Sequence, residues 1–123
     1  MTTAYWCVLI SILFPYIFTV LAKLNKNFDN HDPRACLDRV TGWKRRAHCV
    51  QLNSFEIIPA FGLAVIIAEL AKAPQSTLDI IAIVFIITRV CYAICYLTDK
   101  AGLRSLFWGI GMACILSLFY IAA

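Results

Sequence analysis

The stretch Ile80–Leu97, IIAIVFIITRVCYAICYL, is the most informative part of the chain, because it is long enough to cross a bilayer and holds one charge, Arg89. A guanidinium at that depth costs several kcal/mol unless it faces protein or water, so such a charge points to a functional site. The apolar stretch before it holds one charge of opposite sign, Glu56. The two charges predict either a polar site inside the membrane or a structural ion pair that clamps two helices together.

Three further stretches have the length and composition of membrane spans. Ala4–Ala22 and Ser105–Ala123 contain no charge, and Cys49–Ala68 contains only Glu56. At a rise of about 1.5 Å per residue each span covers about 30 Å, the thickness of the hydrocarbon layer. With 62% hydrophobic residues, a soluble core of this size could not hide the apolar surface. We predict an all-α membrane protein, a four-transmembrane-helix bundle in which residues 1–123 form a single domain.

The basic residues are distributed unevenly between the predicted loops. The loops after the first and third spans hold Lys23, Lys26, Arg34, Arg39, Lys44, Arg45, Arg46, Lys100 and Arg104, whereas the second loop holds only Lys72. Because cytoplasmic loops are enriched in Lys and Arg, we expect both termini to be extracytoplasmic. We expect the membrane to be the inner membrane of a bacterium. The net charge of +4 then reflects topology and contact with anionic lipids, and we expect no nucleic-acid partner.

The cysteines favour packing over disulfide or metal chemistry. Cys7, Cys91, Cys95 and Cys114 lie inside predicted spans, where cysteine is usually a small apolar residue. Cys91 and Cys95 are one helical turn apart, but no His or carboxylate accompanies them at ligand spacing. We therefore expect no metal site.

Helical spacing gathers the polar residues of the second and third spans onto two stripes. At about 100° per residue, the stripe of the second span is made of Arg46, Cys49, Asn53 and Glu56. Gln51 points away from it, toward a neighbouring helix or subunit. The stripe of the third span is made of Arg89, Tyr92 and Tyr96.

Depth suggests how the two stripes meet. Glu56 lies ten residues inward from Arg46, and Arg89 lies ten residues inward from Asp99, so we expect Glu56 and Arg89 to pair about 15 Å from the cytoplasmic side. The remaining polar residues would then line a cleft that opens toward the cytoplasm and reaches Arg104 and Ser105. The alternative for the tyrosines is an ordinary aromatic belt at the membrane interface.

The motifs occur in a fixed order along the chain. They are Arg45-Arg46-Ala47-His48, then Gln51-x-Asn53-x-x-Glu56-x-x-Pro59-x-Phe61, then Arg89-x-x-Tyr92-x-x-x-Tyr96, then Leu103-Arg104-Ser105. This pattern, which covers nearly the whole chain, resembles the MAPEG family, the membrane-associated proteins in eicosanoid and glutathione metabolism. The resemblance implies a homotrimer of four-helix protomers, with glutathione as co-substrate held at each protomer interface.

The resemblance also implies a role for each motif residue. Asn53, Glu56 and Gln51 would hold the peptide part of glutathione, and the third span would line the same site with Arg89, Tyr92 and Tyr96. Arg104, with Ser105 beside it, would be catalytic at the sulfur, because a thiol of pKa about 8.5 is mostly protonated at neutral pH and a nearby cation favours the thiolate. One departure is Cys49, which stands where several eicosanoid-synthesising members have an arginine. Cys49 is therefore either a reactive thiol or a packing residue.

These observations together predict a glutathione transferase or peroxidase. It would conjugate glutathione to hydrophobic electrophiles or reduce lipid hydroperoxides, a detoxification role in which the bilayer supplies the hydrophobic small-molecule substrate. One alternative is a non-catalytic membrane scaffold of the same fold. Another is a small multidrug-type transporter, but that class needs an ionisable residue in the first span, and Ala4–Ala22 has none.

Overall fold

The computed structural model describes residues 1–24 and 28–123, and within these ranges the chain forms only helices. They are α1 Thr3–Ala22, α2 Pro33–Asp38, α3 Gly42–Leu70, α4 Gln75–Leu97 and α5 Ala101–Ala122. All except α2 are long and apolar enough to cross a membrane. The predicted four-helix membrane fold is confirmed. Of the basic residues used to predict topology, Lys26 lies outside the described residues.

The α3 helix is longer than the predicted second span, and its start explains the difference. Its 29 residues extend over about 43 Å, so about 13 Å of the helix lies beyond a hydrocarbon layer of about 30 Å. The helix begins at Gly42, whose φ of +63° is easy only for glycine. This residue separates α3 from α2, where the Asp32 carboxylate accepts a hydrogen bond from the Ala35 N–H at 3.4 Å.

Two tight turns of the same kind reverse the chain after α3 and after α4. In the first, Lys72 has a φ of +57° and the Ala73 N–H donates to the Ala68 carbonyl at 3.0 Å. In the second, Asp99 has a φ of +60° and the next N–H donates to the Cys95 carbonyl at 2.8 Å. Both are Schellman motifs, which satisfy carbonyls that a helix end leaves free. The helices on either side of each turn are therefore antiparallel neighbours.

The bundle has two chemically different ends. Both chain termini and the α3–α4 turn lie at one, here called the terminal end, while the start of α3 and the α4–α5 turn lie at the other, the basic end. The most extensive packing joins α1 to α3 and α4 to α5. Gly111 of α5 is buried against α4, and a Cβ there would stand 3.3 Å from Thr88 Oγ1, so the close approach of these helices depends on the glycine.

The interior consists of two apolar clusters with polar residues between them. The cluster nearer the terminal end is centred on Phe61 and Phe85, whose rings stack with centroids 3.9 Å apart. The cluster nearer the basic end contains Phe18, Val50 and Tyr92. Between the clusters lies a set of buried polar residues, here called the polar layer, made of Ser11, Ser54, Thr88 and Arg89. The polar layer thus crosses the bundle near the middle of the membrane.

Candidate functional site

Arg89 is the cation of the polar layer, and neutral oxygens surround it. The residue is 3% exposed, and its Nη2 donates to Asn53 Oδ1 at 2.7 Å and to Ser54 Oγ at 3.5 Å. Its guanidinium carbon lies 4.2 Å from the centre of the Tyr92 ring, within the range of a cation–π interaction. The other terminal nitrogen, Nη1, is buried and makes no hydrogen bond to any described residue.

The predicted ion pair between Glu56 and Arg89 is wrong. Glu56 is exposed on the surface of the bundle, and the acceptor nearest to Arg89 is Asn53. The reason is helix register. Arg46 Nε donates to the Leu97 carbonyl at 3.3 Å, which places the two residues at the same depth. From that level Asn53 is seven residues inward and Arg89 is eight, but Glu56 is ten, about half a turn deeper than Arg89.

The rest of the predicted stripe on α3 does face α4, as expected. Besides Arg46 and Asn53, the Cys49 side chain neighbours Tyr96. Arg46 binds a carbonyl at the end of α4, where cationic side chains are favourable. All six cysteines, which lie in the described ranges, are free thiols.

The tyrosines of α4 and the start of α5 form a recess of about 280 Å³, here called the tyrosine recess. Its walls are Tyr92, Tyr96, Arg104, Ser105 and Trp108. The two tyrosine rings meet edge to face with centroids 5.7 Å apart. The guanidinium carbon of Arg104 lies 4.6 Å from the centre of the Tyr96 ring, which fixes the cation at the edge of the recess.

A second recess of about 210 Å³, here called the carboxylate recess, adjoins the first. Its walls are Asn53, Glu56, Ile57, Ala60, Trp108 and Met112. Trp108 lines both recesses, so Arg104 and Glu56 belong to recesses that share one wall residue. Trp108 was not among the predicted site residues. Its spacing was nevertheless a usable signal, because Trp108 follows Arg104 by four residues and so lies on the same face of α5.

The fold places Gln51 away from both recesses, whereas Arg89, which lines neither, contacts Asn53 and Tyr92. Gln51 lines a third recess, of about 350 Å³, together with Arg34, Leu37, Asp38, His48, Leu52 and Phe55. Its Oε1 lies 3.3 Å from His48 Nδ1. This position agrees with the predicted direction of Gln51, away from the stripe that faces α4, and separates it from the tyrosine recess.

The tyrosine recess presents groups that are free to bind a ligand. The side chains of Arg104 and Ser105 make no hydrogen bond to another described residue, so a cationic donor and a hydroxyl stand side by side on an aromatic wall. An anion or a readily ionised group gains most from this arrangement, because hydrogen bonds from a charged donor are the stronger ones. The carboxylate of Glu56, in the adjoining recess, suits a cationic group of the same ligand.

Comparison with known proteins identifies the family of this chain. None of the curated proteins matches it. The sequence model of the MAPEG family matches residues 3–123, which include all four spanning helices and every predicted site residue. The chain therefore belongs to the MAPEG family.

Proposed function

We propose that this protein is a glutathione-dependent membrane enzyme that conjugates glutathione to hydrophobic electrophiles, reduces lipid hydroperoxides, or does both. The MAPEG family contains glutathione transferases and peroxidases and also non-catalytic members, so membership alone does not decide the activity. The observation that carries the proposal is the pair of adjoining recesses. One offers the cation of Arg104 beside a hydroxyl, the other the carboxylate of Glu56, and Trp108 lines both.

The positions of Arg104 and Glu56 in adjoining recesses match the distribution of charge in the tripeptide. Glutathione carries an ammonium group, two carboxylates and a thiol, so a ligand bound across both recesses would place its ammonium near Glu56 and its thiol near Arg104. The Asn53 amide oxygen is already occupied by Arg89, which leaves the amide NH2 group as a donor for a peptide carbonyl or carboxylate. Arg89 then acts by orienting Asn53, and Tyr92 and Tyr96 form the wall between.

The chemical step would consist of stabilising the thiolate. A thiol with a pKa of about 8.5 is only a few per cent ionised at neutral pH, and the nearby guanidinium lowers the free energy of the ionised form. Ser105 would donate a hydrogen bond to the same sulfur. The thiolate then attacks an electrophilic carbon of a substrate that arrives from the bilayer, forming a C–S bond as the leaving group departs. With a lipid hydroperoxide it attacks the terminal oxygen instead, and the O–O bond breaks to give the sulfenic acid of glutathione and the lipid alcohol. A second glutathione then converts the sulfenic acid to glutathione disulfide and water.

A homotrimer would account for Gln51. MAPEG members are generally trimeric, and the recess that contains Gln51 and Arg34 lies apart from the tyrosine recess within one protomer. In the proposed trimer a neighbouring copy would present Gln51, and the cationic Arg34 beside it, to the glutathione carboxylates.

Calorimetry with glutathione in detergent tests the proposal. We expect saturable binding, and we expect Glu56→Gln to weaken it by about tenfold, since losing a charge-assisted hydrogen bond costs at least about 1.4 kcal/mol. Glu69→Gln is the matched control, because Glu69 is a carboxylate at the terminal end, and it should bind as the parent does. Absence of binding at millimolar glutathione would contradict the proposal and favour a non-catalytic scaffold.

A further inference from the structure

His48 is a buried polar side chain that the proposed function does not use. It is 6% exposed and lines the third recess, together with Gln51 of α3 and Arg34 and Asp38 of α2. A buried imidazole usually has a hydrogen-bond partner, because an unpaired polar group away from water costs free energy. The partners of the ring therefore indicate what His48 does.

The two ring nitrogens of His48 face different residues. Nδ1 is hydrogen-bonded to Gln51 Oε1 at 3.3 Å, one helical turn further along α3. Nε2 lies 3.8 Å from Asp38 Oδ1, which is too far for a hydrogen bond, and the Asp38 side chain is 75% exposed. Exposed ion pairs of this kind contribute little. The hydrogen bond to Gln51 is therefore the main polar interaction of the ring.

This hydrogen bond gives the Gln51 amide a defined orientation. Because an amide oxygen can only accept, Nδ1 of His48 carries the hydrogen and donates it to Oε1. The NH2 group of the same amide then faces away from the ring, and it donates to no described residue. With the cationic side chain of Arg34 at the same recess, a free NH2 group suits a carboxylate. An amide turned over would present its oxygen to that carboxylate and repel it.

We propose that His48 is a positioning residue for glutathione, which holds the Gln51 amide with its NH2 group toward a carboxylate of the ligand. The inference rests on the proposed function, in which Gln51 of one copy reaches the glutathione bound at a neighbouring copy. His48 acts through Gln51 and does not touch the ligand. It fixes the amide before glutathione arrives, so less side-chain freedom is lost on binding.

Two substitutions separate the hydrogen bond of His48 from its packing. His48→Asn places an amide nitrogen where Nδ1 stands, so it retains the donor to Gln51 although the side chain is much smaller. His48→Gln is closer to histidine in size, but its amide nitrogen falls where Nε2 stands, so the donor to Gln51 is lost. A role in packing alone therefore favours glutamine, and a positioning role favours asparagine.

Calorimetry on the full-length protein in detergent measures the difference. We expect His48→Asn to bind glutathione within about twofold of the parent, and His48→Gln to bind about tenfold more weakly. His31→Asn is the matched control, because His31 is an exposed histidine, and it should bind as the parent does. Equal affinities of the two His48 variants, or the reverse order, would overturn the proposal.

A double-mutant cycle shows whether His48 acts through Gln51. Gln51→Ala alone should weaken binding about tenfold, and in that background His48→Gln should change the affinity by less than about twofold. A further tenfold loss would mean that His48 acts by another route, and an unchanged affinity of Gln51→Ala would remove its target; either result would overturn the proposal. Both differ from a failure of the proposed function, in which the parent itself would bind no glutathione.

Discussion

The bundle contains two polar regions that differ in whether their side chains bind one another. At the terminal end, Thr2 Oγ1 donates to Glu69 Oε1 at 2.5 Å, and Gln75 Nε2 donates to Glu69 at 3.2 Å and to Asp79 at 2.9 Å. Asp79 also accepts the Ala4 N–H of α1 at 2.9 Å. This terminal cluster joins α1, α3 and α4 through groups that satisfy each other.

The tyrosine recess has the opposite character. Arg104 is held against the Tyr96 ring at 4.6 Å, yet neither its guanidinium nor the Ser105 hydroxyl is hydrogen-bonded to another described residue. Polar groups that satisfy each other stabilise a fold, whereas positioned groups with free hydrogen-bonding capacity are ready for a ligand. Polarity inside a membrane bundle therefore indicates function only where that capacity is left open.

Topology is the prediction with the largest effect, since its outcome is all or none. The predicted loops at the basic end contain nine basic residues. A reporter fused after Ala123 should therefore be extracytoplasmic, and one inserted near Asn30 should be cytoplasmic. Enzymatic reporters that are active on only one side of the membrane measure this. The reverse pattern would place the tyrosine recess away from cytosolic glutathione and remove its proposed ligand.

Replacing Arg104 with alanine should lower turnover of a hydrophobic electrophile by about 100-fold, the scale of losing one preorganised electrostatic stabiliser. Glutathione affinity should change by less than about threefold, since the lost interaction acts mainly on the ionised sulfur. Arg39→Ala, which removes an exposed cation from the same end, serves as the control and should retain turnover.

A thiolate difference spectrum in the ultraviolet, recorded on adding glutathione, reports the ionisation step directly. The parent should show the band near neutral pH, and Arg104→Ala should require a higher pH, because loss of a positive neighbour raises the thiol pKa. If spectrum and turnover were both unchanged, Arg104 would have no part in the mechanism.

The sequence was sufficient to predict the spans and the direction of most polar side chains, for a physical reason. A hydrocarbon layer requires long apolar helices with satisfied backbones, and helical geometry then fixes which residues share a face. It was insufficient for the relative sliding of α3 and α4, because that depends on packing such as the stacked rings of Phe61 and Phe85. An error of less than one turn in that register gave Arg89 the wrong partner.

The division of the predicted cleft into the tyrosine recess and the carboxylate recess, and the third recess, lay beyond the sequence. Trp108 separates two recesses only because α5 packs against both α3 and α4, and no spacing along one helix reveals that. Gln51 was predicted to face away from the stripe, but its contact with His48 depends on where α2 returns to the bundle.

Stability measurements on two variants test the corrected partner of Arg89. Asn53→Leu removes the acceptor at 2.7 Å and leaves a buried guanidinium less well compensated, so it should cost about 2–3 kcal/mol of unfolding free energy without glutathione. Glu56→Gln should change that free energy by less than about 0.5 kcal/mol, as expected for a surface position. Denaturant unfolding in detergent measures both. The reverse order of the two effects would restore the ion pair between Glu56 and Arg89.

The smallest effect is expected at the terminal end, where Asp79 provides the sharpest contrast with Arg104. Asp79→Ala leaves the Ala4 N–H without its acceptor and releases Gln75, and loss of a helix cap costs about 1–2 kcal/mol. Asp79→Asn retains an acceptor but loses the favourable interaction of a carboxylate with the α1 N-terminus, so it should cost about 0.5 kcal/mol. The same denaturant measurement resolves the two variants.

Both should bind glutathione and turn over substrate as the parent does, because Asp79 joins helices at the end of the bundle away from Arg104. A loss of affinity or turnover beyond the loss of folded protein would show that the two polar regions are coupled, and the distinction between a satisfied cluster and an open recess would not hold for this bundle.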